Sequence, residues 1–196
     1  MIDIDLLLAT GATYKKATRE EVIFEEGGTC VYYYQLVSGR VKWININDAG
    51  KEFIQNIIEP GESFGELPLF DDGPYAASCI AEKDSVIIRL PKAYFLQLLD
   101  ECPDLHFKFS RLLAQRLRYK FLILKTIASE NPQARIATLL NHLKKECESS
   151  KHKMEVKLTR QQIANMTGLC VETVIREIKK LDKCHAVSIE HGKVYV

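Results

Sequence analysis

The sequence predicts an α+β fold, in which a strand-rich first half is followed by one long helix and a mainly helical C-terminal region. Residues 21–90 alternate short apolar and β-branched runs with glycine-containing turns. After residue 91 the apolar residues take helical spacing, and residues 159–183 describe two short helices separated by a glycine. At 196 residues, the chain is long enough for two small domains or one large one.

The strand-rich part is predicted from its alternation and its turns. Val41, Trp43, Ile44 and Ile46 follow a period of two with one slip. Glycines separate the runs at strand spacing: Gly39, Gly50, Gly61 and Gly73. This region is therefore expected to form a β-sandwich or a small barrel.

The helical segment from Leu105 to Ile127 carries more apolar surface than one small domain needs. Its apolar residues include Phe109, Leu112, Leu113, Leu117, Leu124 and Ile127. Packing against the β domain of the same chain accounts for part of this set. The remainder predicts a homodimer in which two copies of the helix pack in parallel, because a coiled-coil pair needs a sustained apolar stripe.

The segment from Thr159 to Lys183 predicts a helix, a turn and a second helix. Thr159 followed by Gln162 forms a capping box, and Gly168 ends the first helix. The residues expected to point inward are Ile163, Met166, Val174, Ile178 and Leu181. The other face of the second helix is then free to enter the major groove of DNA, as in a helix-turn-helix.

The free face of this second helix carries groups that suit base readout. Arg176 can donate a fork to guanine, and Glu172 can accept from cytosine. The alternative is an ordinary i, i+4 ion pair on a solvated helix. Val171 and Ile175 favour the first interpretation, because exposed apolar groups there suit thymine methyls.

The last residues, AVSIEHGKVYV, predict a β-hairpin wing with a basic tip at His191, Gly192 and Lys193.

The positive charge of the chain is concentrated in its C-terminal region. Residues 1–130 contain 15 basic and 19 acidic side chains, whereas residues 151–196 contain 9 and 5. A basic C-terminal module on an acidic body favours attraction to a phosphate backbone.

Composition argues against several other classes of protein. No apolar run approaches the roughly 20 residues of a membrane helix, and the first residues are acidic, so a cytoplasmic location is expected. No metal site is expected, because the six cysteines lie far apart and buried thiols are the default. They are Cys30, Cys79, Cys102, Cys147, Cys170 and Cys184. No nucleophile, base and orienting residue occur at a recognisable spacing, so no enzyme activity is predicted.

Several motifs occur together in one known family. They are EEGG after VIF, SGRV, PGESFGELPLFDDG, RIA at Arg135–Ala137, and LTRQQIANMTGLCVETVIREIKKL. In this combination the chain resembles the Crp/Fnr family of bacterial transcription regulators over nearly its whole length. The resemblance implies a cyclic-nucleotide-binding-type β jelly roll at 1–102, a dimerisation helix at 103–130 and a winged helix-turn-helix at 131–196. It also implies double-stranded DNA and a second copy of the chain as partners, with RNA polymerase as a further candidate.

The resemblance also assigns the DNA-contacting residues. Thr159, Arg160 and Gln161 are expected to contact phosphates, while Glu172 and Arg176 read bases. The full candidate set adds Val171, Thr173, Ile175, Lys179, His191 and Lys193.

The start of the recognition helix resembles the Fnr branch of the family. Val171 stands where the catabolite activator branch has Arg, which implies TTGAT-like half-sites whose outermost specified base is thymine. Cys170 occupies the expected N-cap, where Ser or Thr is usual. Either it is a poor cap, or a thiol of lowered pKa serves a redox role.

The expected effector pocket departs from its relatives. Its residues are Phe64, Gly65, Glu66, Leu67, Ala76, Ala77, Lys120 and Phe121. In cyclic-nucleotide-binding relatives, an Arg followed by Ser or Thr pairs with the phosphate; here Ala76 and Ala77 stand in those positions. Lys120 is either a replacement cation or a solvent-exposed residue. We therefore expect that cAMP is not bound and that any effector is another small molecule.

Two other expectations concern function. The chain lacks the N-terminal cysteine cluster of oxygen-sensing Fnr, so that signal is not expected. The alternative to a DNA-binding regulator is a small-molecule-binding regulatory module without a direct DNA role.

Overall fold

The computed structural model describes residues 2–128, 131–146 and 153–196. Two compact units, Met1–Arg111 and Leu112–Val196, make up the chain. The strands of the first unit are β1 (Thr13–Ala17), β2 (Val22–Phe24), β3 (Tyr32–Ser38), β4 (Val41–Ile46), β5 (Glu52–Ile58), β6 (Ser63–Phe64), β7 (Ser78–Ala81) and β8 (Ser85–Pro91). Its helices are α1 (Ile4–Ala9), α2 (Leu67–Asp71), α3 (Lys92–Glu101) and the start of α4 (Pro103–Ala128).

The eight strands form two four-stranded sheets, in the orders β1-β8-β3-β6 and β2-β7-β4-β5. Each sheet contributes one face to a common core. The buried residues of this core are Ala17, Tyr34, Leu36, Val41, Ile58, Phe64, Cys79, Ala81 and Ile87. The arrangement is the jelly roll that the resemblance implies, and α4 supplies the expected long helix.

The slip in the alternation of β4 lies opposite a β-bulge in β5, where Gln55 is the extra residue. The pairing of β4 with β5 shifts register between Trp43 and Ile44. Val41 and Ile44 are both buried, but only Val41 belongs to the common core of the two sheets.

Strand β3 is buried on both faces from Tyr33 to Leu36, where aromatic and apolar side chains surround one buried polar residue, Gln35. On the side away from the roll, the ring of Tyr33 stacks on Phe95 of α3 with centroids 4.8 Å apart. Phe109 of α4 meets the edge of the same cluster, 5.9 Å from Tyr33. The first turns of α4 are thus anchored on the outer face of this sheet.

The second unit contains the rest of α4 and the elements α5 (Pro132–Glu146), α6 (Arg160–Thr167), α7 (Val171–Lys183), β9 (Ser188–Glu190) and β10 (Lys193–Tyr195). Helix α7 packs against both α5 and α6. The buried residues of these helices include Ile136, Leu139, Ile163, Val174, Ile178 and Leu181. No helix in the described parts of the chain has the length and apolar character needed to cross a membrane.

The apolar residues of α4 differ widely in their exposure. Leu105, Phe109 and Ile123 are buried, whereas Leu117, Phe121 and Leu124 are 57%, 65% and 61% exposed. The remaining apolar residues of the expected set, Leu112, Leu113 and Ile127, are half-buried. Part of the predicted apolar surface is therefore used within the chain, and a separate part faces outward.

Gly39, between β3 and β4, has no room for a side chain. Its φ is +92°, and a Cβ at this position would lie 2.5 Å from the Asp84 carbonyl oxygen and 2.6 Å from Cα of Ser85. Backbone atoms cannot move aside cheaply, so Gly39→Ala should lower the free energy of unfolding by about 3 kcal/mol. Gly50 is the matched control, since it has a φ of +74° and open space around it.

Gly50→Ala should cost only about 1–2 kcal/mol, the penalty of the left-handed conformation alone. Urea unfolding of the full chain, followed by the fluorescence of Trp43, measures both values, because the single Trp lies within β4. Equal losses for the two variants would contradict the predicted contact.

Candidate nucleic-acid interface

The helix-turn-helix forms as the sequence predicts. The Thr159 hydroxyl oxygen accepts from the Gln162 backbone N–H at 3.1 Å, and Oε1 of Gln162 accepts from the Thr159 N–H at 2.7 Å. Gly168 ends α6 with a φ of +69°, a conformation that glycine adopts without strain. This turn sets the direction in which α7 begins.

Helix α7 separates an inward face from an outward face. Val174, Ile178 and Leu181 are buried, as predicted. Val171 is half-buried at its first turn. A shallow groove along the outward face is lined by Glu172, Ile175, Arg176, Lys179, Lys180 and Lys183. The groove has four cations and one anion, a balance that favours a polyanion.

Arg176 is held by its neighbours on the helix. Its Nε lies 3.2 Å from Oε1 of Glu177, and its Nη2 donates to the Thr173 hydroxyl at 3.3 Å. The ion pair formed is therefore with Glu177 and not with Glu172, which remains exposed. Arg176 itself stays 60% exposed and faces the groove.

Cys170 is the N-cap of α7, as predicted, and it makes no capping bond with its side chain. Its Sγ instead lies 3.1 Å from Oγ1 of Thr173. This hydrogen bond with Thr173 lowers the pKa of the Cys170 thiol. Thr173 thus contacts both the N-cap and Arg176.

The expectation of buried thiols is wrong for two cysteines. Cys170 and Cys184 are exposed, Cys102 is half-buried, and Cys30 and Cys79 are buried. Position 147 lies outside the described residues.

The predicted hairpin wing is confirmed, with β9 and β10 joined by His191 and Gly192. Both turn residues have positive φ, +49° and +80°, as a two-residue type I′ turn requires. The Lys193 ammonium lies 2.9 Å from Oε1 of Glu155, which raises the pKa of Lys193. Glu155 itself forms an isolated β-bridge with Tyr195, so an extended segment borders the wing. Sequence reasoning missed both this bridge and the pairing of the wing lysine.

The residues expected at phosphates lie at the start of α6. Thr159 and Gln161 are exposed. Arg160 is half-buried, which lowers its pKa, and its Nη2 donates to the Gly192 carbonyl at 3.3 Å. Arg160 thereby connects the helix-turn-helix to the tip of the wing, a contact that local sequence patterns cannot reveal.

Arg135, in the RIA motif, joins three helices of the second unit. Its Nη2 donates to the Ile127 carbonyl at 2.9 Å, near the C-terminal end of α4. Its Nη1 lies 3.5 Å from the Thr167 carbonyl, at the end of α6. A cation beside these carbonyls satisfies groups that the helix ends leave open.

Aromatic rings cover the expected effector pocket in the first unit. The rings of Phe24 and Tyr75 stack with centroids 3.8 Å apart, and Tyr75 is only 4% exposed. Tyr34 and Phe64 complete this aromatic cluster. A Cβ at Gly65 would lie 2.8 Å from Phe24 and 3.2 Å from Tyr75, so both rings rest against the Gly65 backbone.

The other pocket residues of the first unit are placed around this cluster. Glu66 is fully buried, and its Oε1 accepts from the Ser63 hydroxyl at 3.1 Å. Leu67 begins α2 and is exposed, Ala76 is exposed and Ala77 is half-buried. Tyr75, immediately before Ala76, points inward. Sequence reasoning missed both Phe24 and Tyr75.

Lys120 and Phe121 lie on the part of α4 that belongs to the second unit. Lys120 is half-buried and not fully solvent-exposed; burial and the nearby Arg116 lower its pKa to about 8. Phe121 is exposed.

Comparison with known proteins identifies relatives of both units. The model of the cyclic nucleotide-binding domain matches residues 14–102, and that of the Crp-like helix-turn-helix domain matches residues 134–196. The chain is 32% identical to the cAMP-activated global transcriptional regulator CRP of Pasteurella multocida, over 92% of this chain and 88% of that protein. It is 29% identical to the Cyclic AMP receptor protein of Thermus thermophilus, over 89% and 79%.

Similarity to solved structures extends over both units. The structure of FixK2 from Bradyrhizobium japonicum matches with a TM-score of 0.78 and 22% identity, covering 94% of this chain and 91% of that chain. At this level of identity the likeness concerns the fold alone.

Proposed function

Because the chain belongs to the Crp/Fnr family of transcription regulators, we propose that it binds an inverted-repeat DNA site as a homodimer and that cAMP is not its effector. The observation that carries this proposal is the outward face of α7, where Arg176 and three lysines border an exposed Ile175. RNA polymerase is a further candidate partner of such a regulator. Relatives in this family are transcription regulators and not enzymes.

In this proposal the first two turns of α7 read bases. Arg176 donates a fork to guanine, and Glu172 accepts from the amino group of cytosine. Val171 and Ile175 present apolar groups to thymine methyls, which supports TTGAT-like half-sites.

Phosphate contacts position α7 in the groove. Lys179, Lys180 and Lys183 follow the same outward face towards its C-terminal end. Thr159, Gln161 and the wing residue His191 are also exposed. Lys193 forms an ion pair with Glu155, so its contribution to phosphate binding is smaller than that of an unpaired lysine.

The proposed dimer uses the exposed apolar stripe of α4. Ala114, Leu117, Phe121, Leu124 and Ala128 alternate in steps of three and four residues, and all are exposed. This is the a and d spacing of a coiled coil. Two copies packed in parallel would cover the stripe and relate the two α7 helices by a two-fold axis.

The aromatic cluster supports the absence of cAMP binding. A cyclic phosphate in this pocket has to approach the backbone of the Gly65 segment, where Phe24 and Tyr75 already lie. Ala76 and Ala77 offer no charge or hydroxyl to it, and a buried phosphate without such partners costs several kcal/mol. The cyclic nucleotide-binding domain remains the place at which another small molecule would act.

Base readout is tested by selecting bound sequences from random DNA with three variants. Arg176→Ala should weaken the free energy of DNA binding by about 1–3 kcal/mol and remove the base preference at one position of each half-site. Lys179→Ala should weaken binding to all sequences and reduce the salt slope by about one unit. Val171→Arg should change the preferred outer base from thymine to guanine. Identical sequence preferences for all variants would contradict base readout by α7.

The dimer is tested by sedimentation at micromolar concentration. Leu117→Asp combined with Leu124→Asp should yield a monomer, because buried unpaired carboxylates oppose the seam. Gln115→Asp is the control: it adds a carboxylate at an exposed position that the helical repeat places away from the stripe, and should leave the dimer intact. A monomeric wild-type protein would contradict the prediction.

Calorimetry with cAMP tests the effector prediction. The dissociation constant of the wild-type protein for cAMP should be above about 1 mM, which corresponds to a binding free energy weaker than about 4 kcal/mol. Ala76→Arg with Ala77→Ser should not restore binding, because the Tyr75 ring still fills the site. Adding Tyr75→Ala should give measurable binding. A micromolar dissociation constant for the wild type would overturn this prediction.

A further inference from the structure

Glu177 is an acidic residue on the inward face of α7. It follows Val174 by three residues and precedes Leu181 by four, so the helical repeat places it in the apolar stripe. It is only 5% exposed. The other members of this stripe are apolar, and a carboxylate there loses its hydration unless partners replace the water.

The partners of Glu177 are two cations of the DNA-facing side. Its Oε1 accepts from Nε of Arg176 at 3.2 Å and from Nζ of Lys180 at 2.9 Å. These hydrogen bonds, above all that from Lys180, lower the pKa of the Glu177 carboxyl. The carboxylate is therefore charged at neutral pH, and both partners reach it from the exposed side of the helix.

This contact determines which donors of Arg176 remain for DNA. Nε is bonded to Glu177, and Nη2 is bonded to the Thr173 hydroxyl on the preceding turn. Two acceptors on one helix fix the plane of the guanidinium group before any DNA arrives. Fixing a long side chain in advance reduces the entropy lost when it forms a bidentate contact.

We propose that Glu177 is a positioning residue for base readout, which orients the guanidinium group of Arg176 and offsets part of the positive charge of Arg176 and Lys180. The inference rests on the proposed base contact of Arg176. Orientation favours the matching base pair, while the charge offset weakens attraction to DNA of any sequence. Both effects increase the discrimination between a cognate site and other DNA.

The test compares Glu177→Gln and Glu177→Leu with the wild type on three duplexes: the selected site, the same site with the Arg176-dependent base pair replaced, and unrelated DNA. In both variants the preference for the selected site over the replaced one should fall by about tenfold. Binding to unrelated DNA should stay equal or become tighter. Glu177→Leu completes the apolar stripe, so it should fold even where Glu177→Gln does not, as thermal melting will show.

The Arg176→Ala background separates positioning from a general structural effect. There, Glu177→Gln should leave the ratio between the two sites unchanged, because the residue it orients is gone. Lys180→Met is the matched control, since it removes the second cation and leaves the contact between Glu177 and Arg176. In this variant the ratio of binding to the selected site and to the replaced site should equal that of the wild type.

Two results overturn the inference. One is a preference for the selected site over the replaced site that equals the wild-type value in both Glu177 variants. The other is that Glu177→Gln reduces this preference as much in the Arg176→Ala background as it does in the wild type. If Arg176→Ala itself keeps the wild-type ratio, the base contact of Arg176 is wrong, and the proposed function fails at that point independently of Glu177.

Discussion

The burial of one side of α7 decides what the other side can do. Val174, Ile178 and Leu181 pack where α7 meets α5 and α6, and each buried side chain of this kind contributes about 1.5–3 kcal/mol. A rotation of the helix would expose them, so the orientation of Arg176 and Lys179 is a consequence of core packing. The capping box at Thr159 and the left-handed Gly168 fix the preceding turn. The basic groove therefore exists on a rigid element before any partner is present.

Close packing also limits the space inside the jelly roll of the first unit. Gly65 has a φ of +71° and no room for a side chain, because Phe24 and Tyr75 lie against it. In the proposed effector pocket, a cyclic phosphate has to approach this backbone. The rings of Phe24 and Tyr75 lie against it, and burial raises the pKa of the Tyr75 hydroxyl. Under the proposed function, a ligand can reach this backbone only if Tyr75 leaves it.

Features that depend on neighbouring residues were predictable from the sequence, and features that depend on distant ones were not. The capping box, the Gly168 turn, the inward stripe of α7 and the hairpin at His191 all follow from local spacing, and the structure confirms them. The slip in β4 was visible, but the bulge of β5 opposite it could be found only from the pairing of the two strands.

The missed contacts cross large sequence separations or require burial to be known. The inward position of Tyr75 depends on Phe24, the bond from Arg160 ends on Gly192, and Lys193 is paired with Glu155. Glu177 was missed for a different reason, because a charged residue in a charged helix is normally taken as solvated. Its burial appears only when the helix is docked.

Helix α4 shows how one sequence can serve two separate surfaces. Its buried residues Leu105 and Phe109 hold it to the β-roll, and the Ile127 carbonyl near its other end accepts from Arg135. The stripe that contains Leu117, Phe121 and Leu124 is not needed for either attachment, yet it keeps a heptad spacing over its whole length. Exposed apolar residues that are merely scattered need no explanation, but a continuous stripe with this periodicity calls for a covering helix. If the covering helix is a second copy of α4, the two recognition helices are related by symmetry, and the DNA site must be an inverted repeat with half-sites about 34 Å apart.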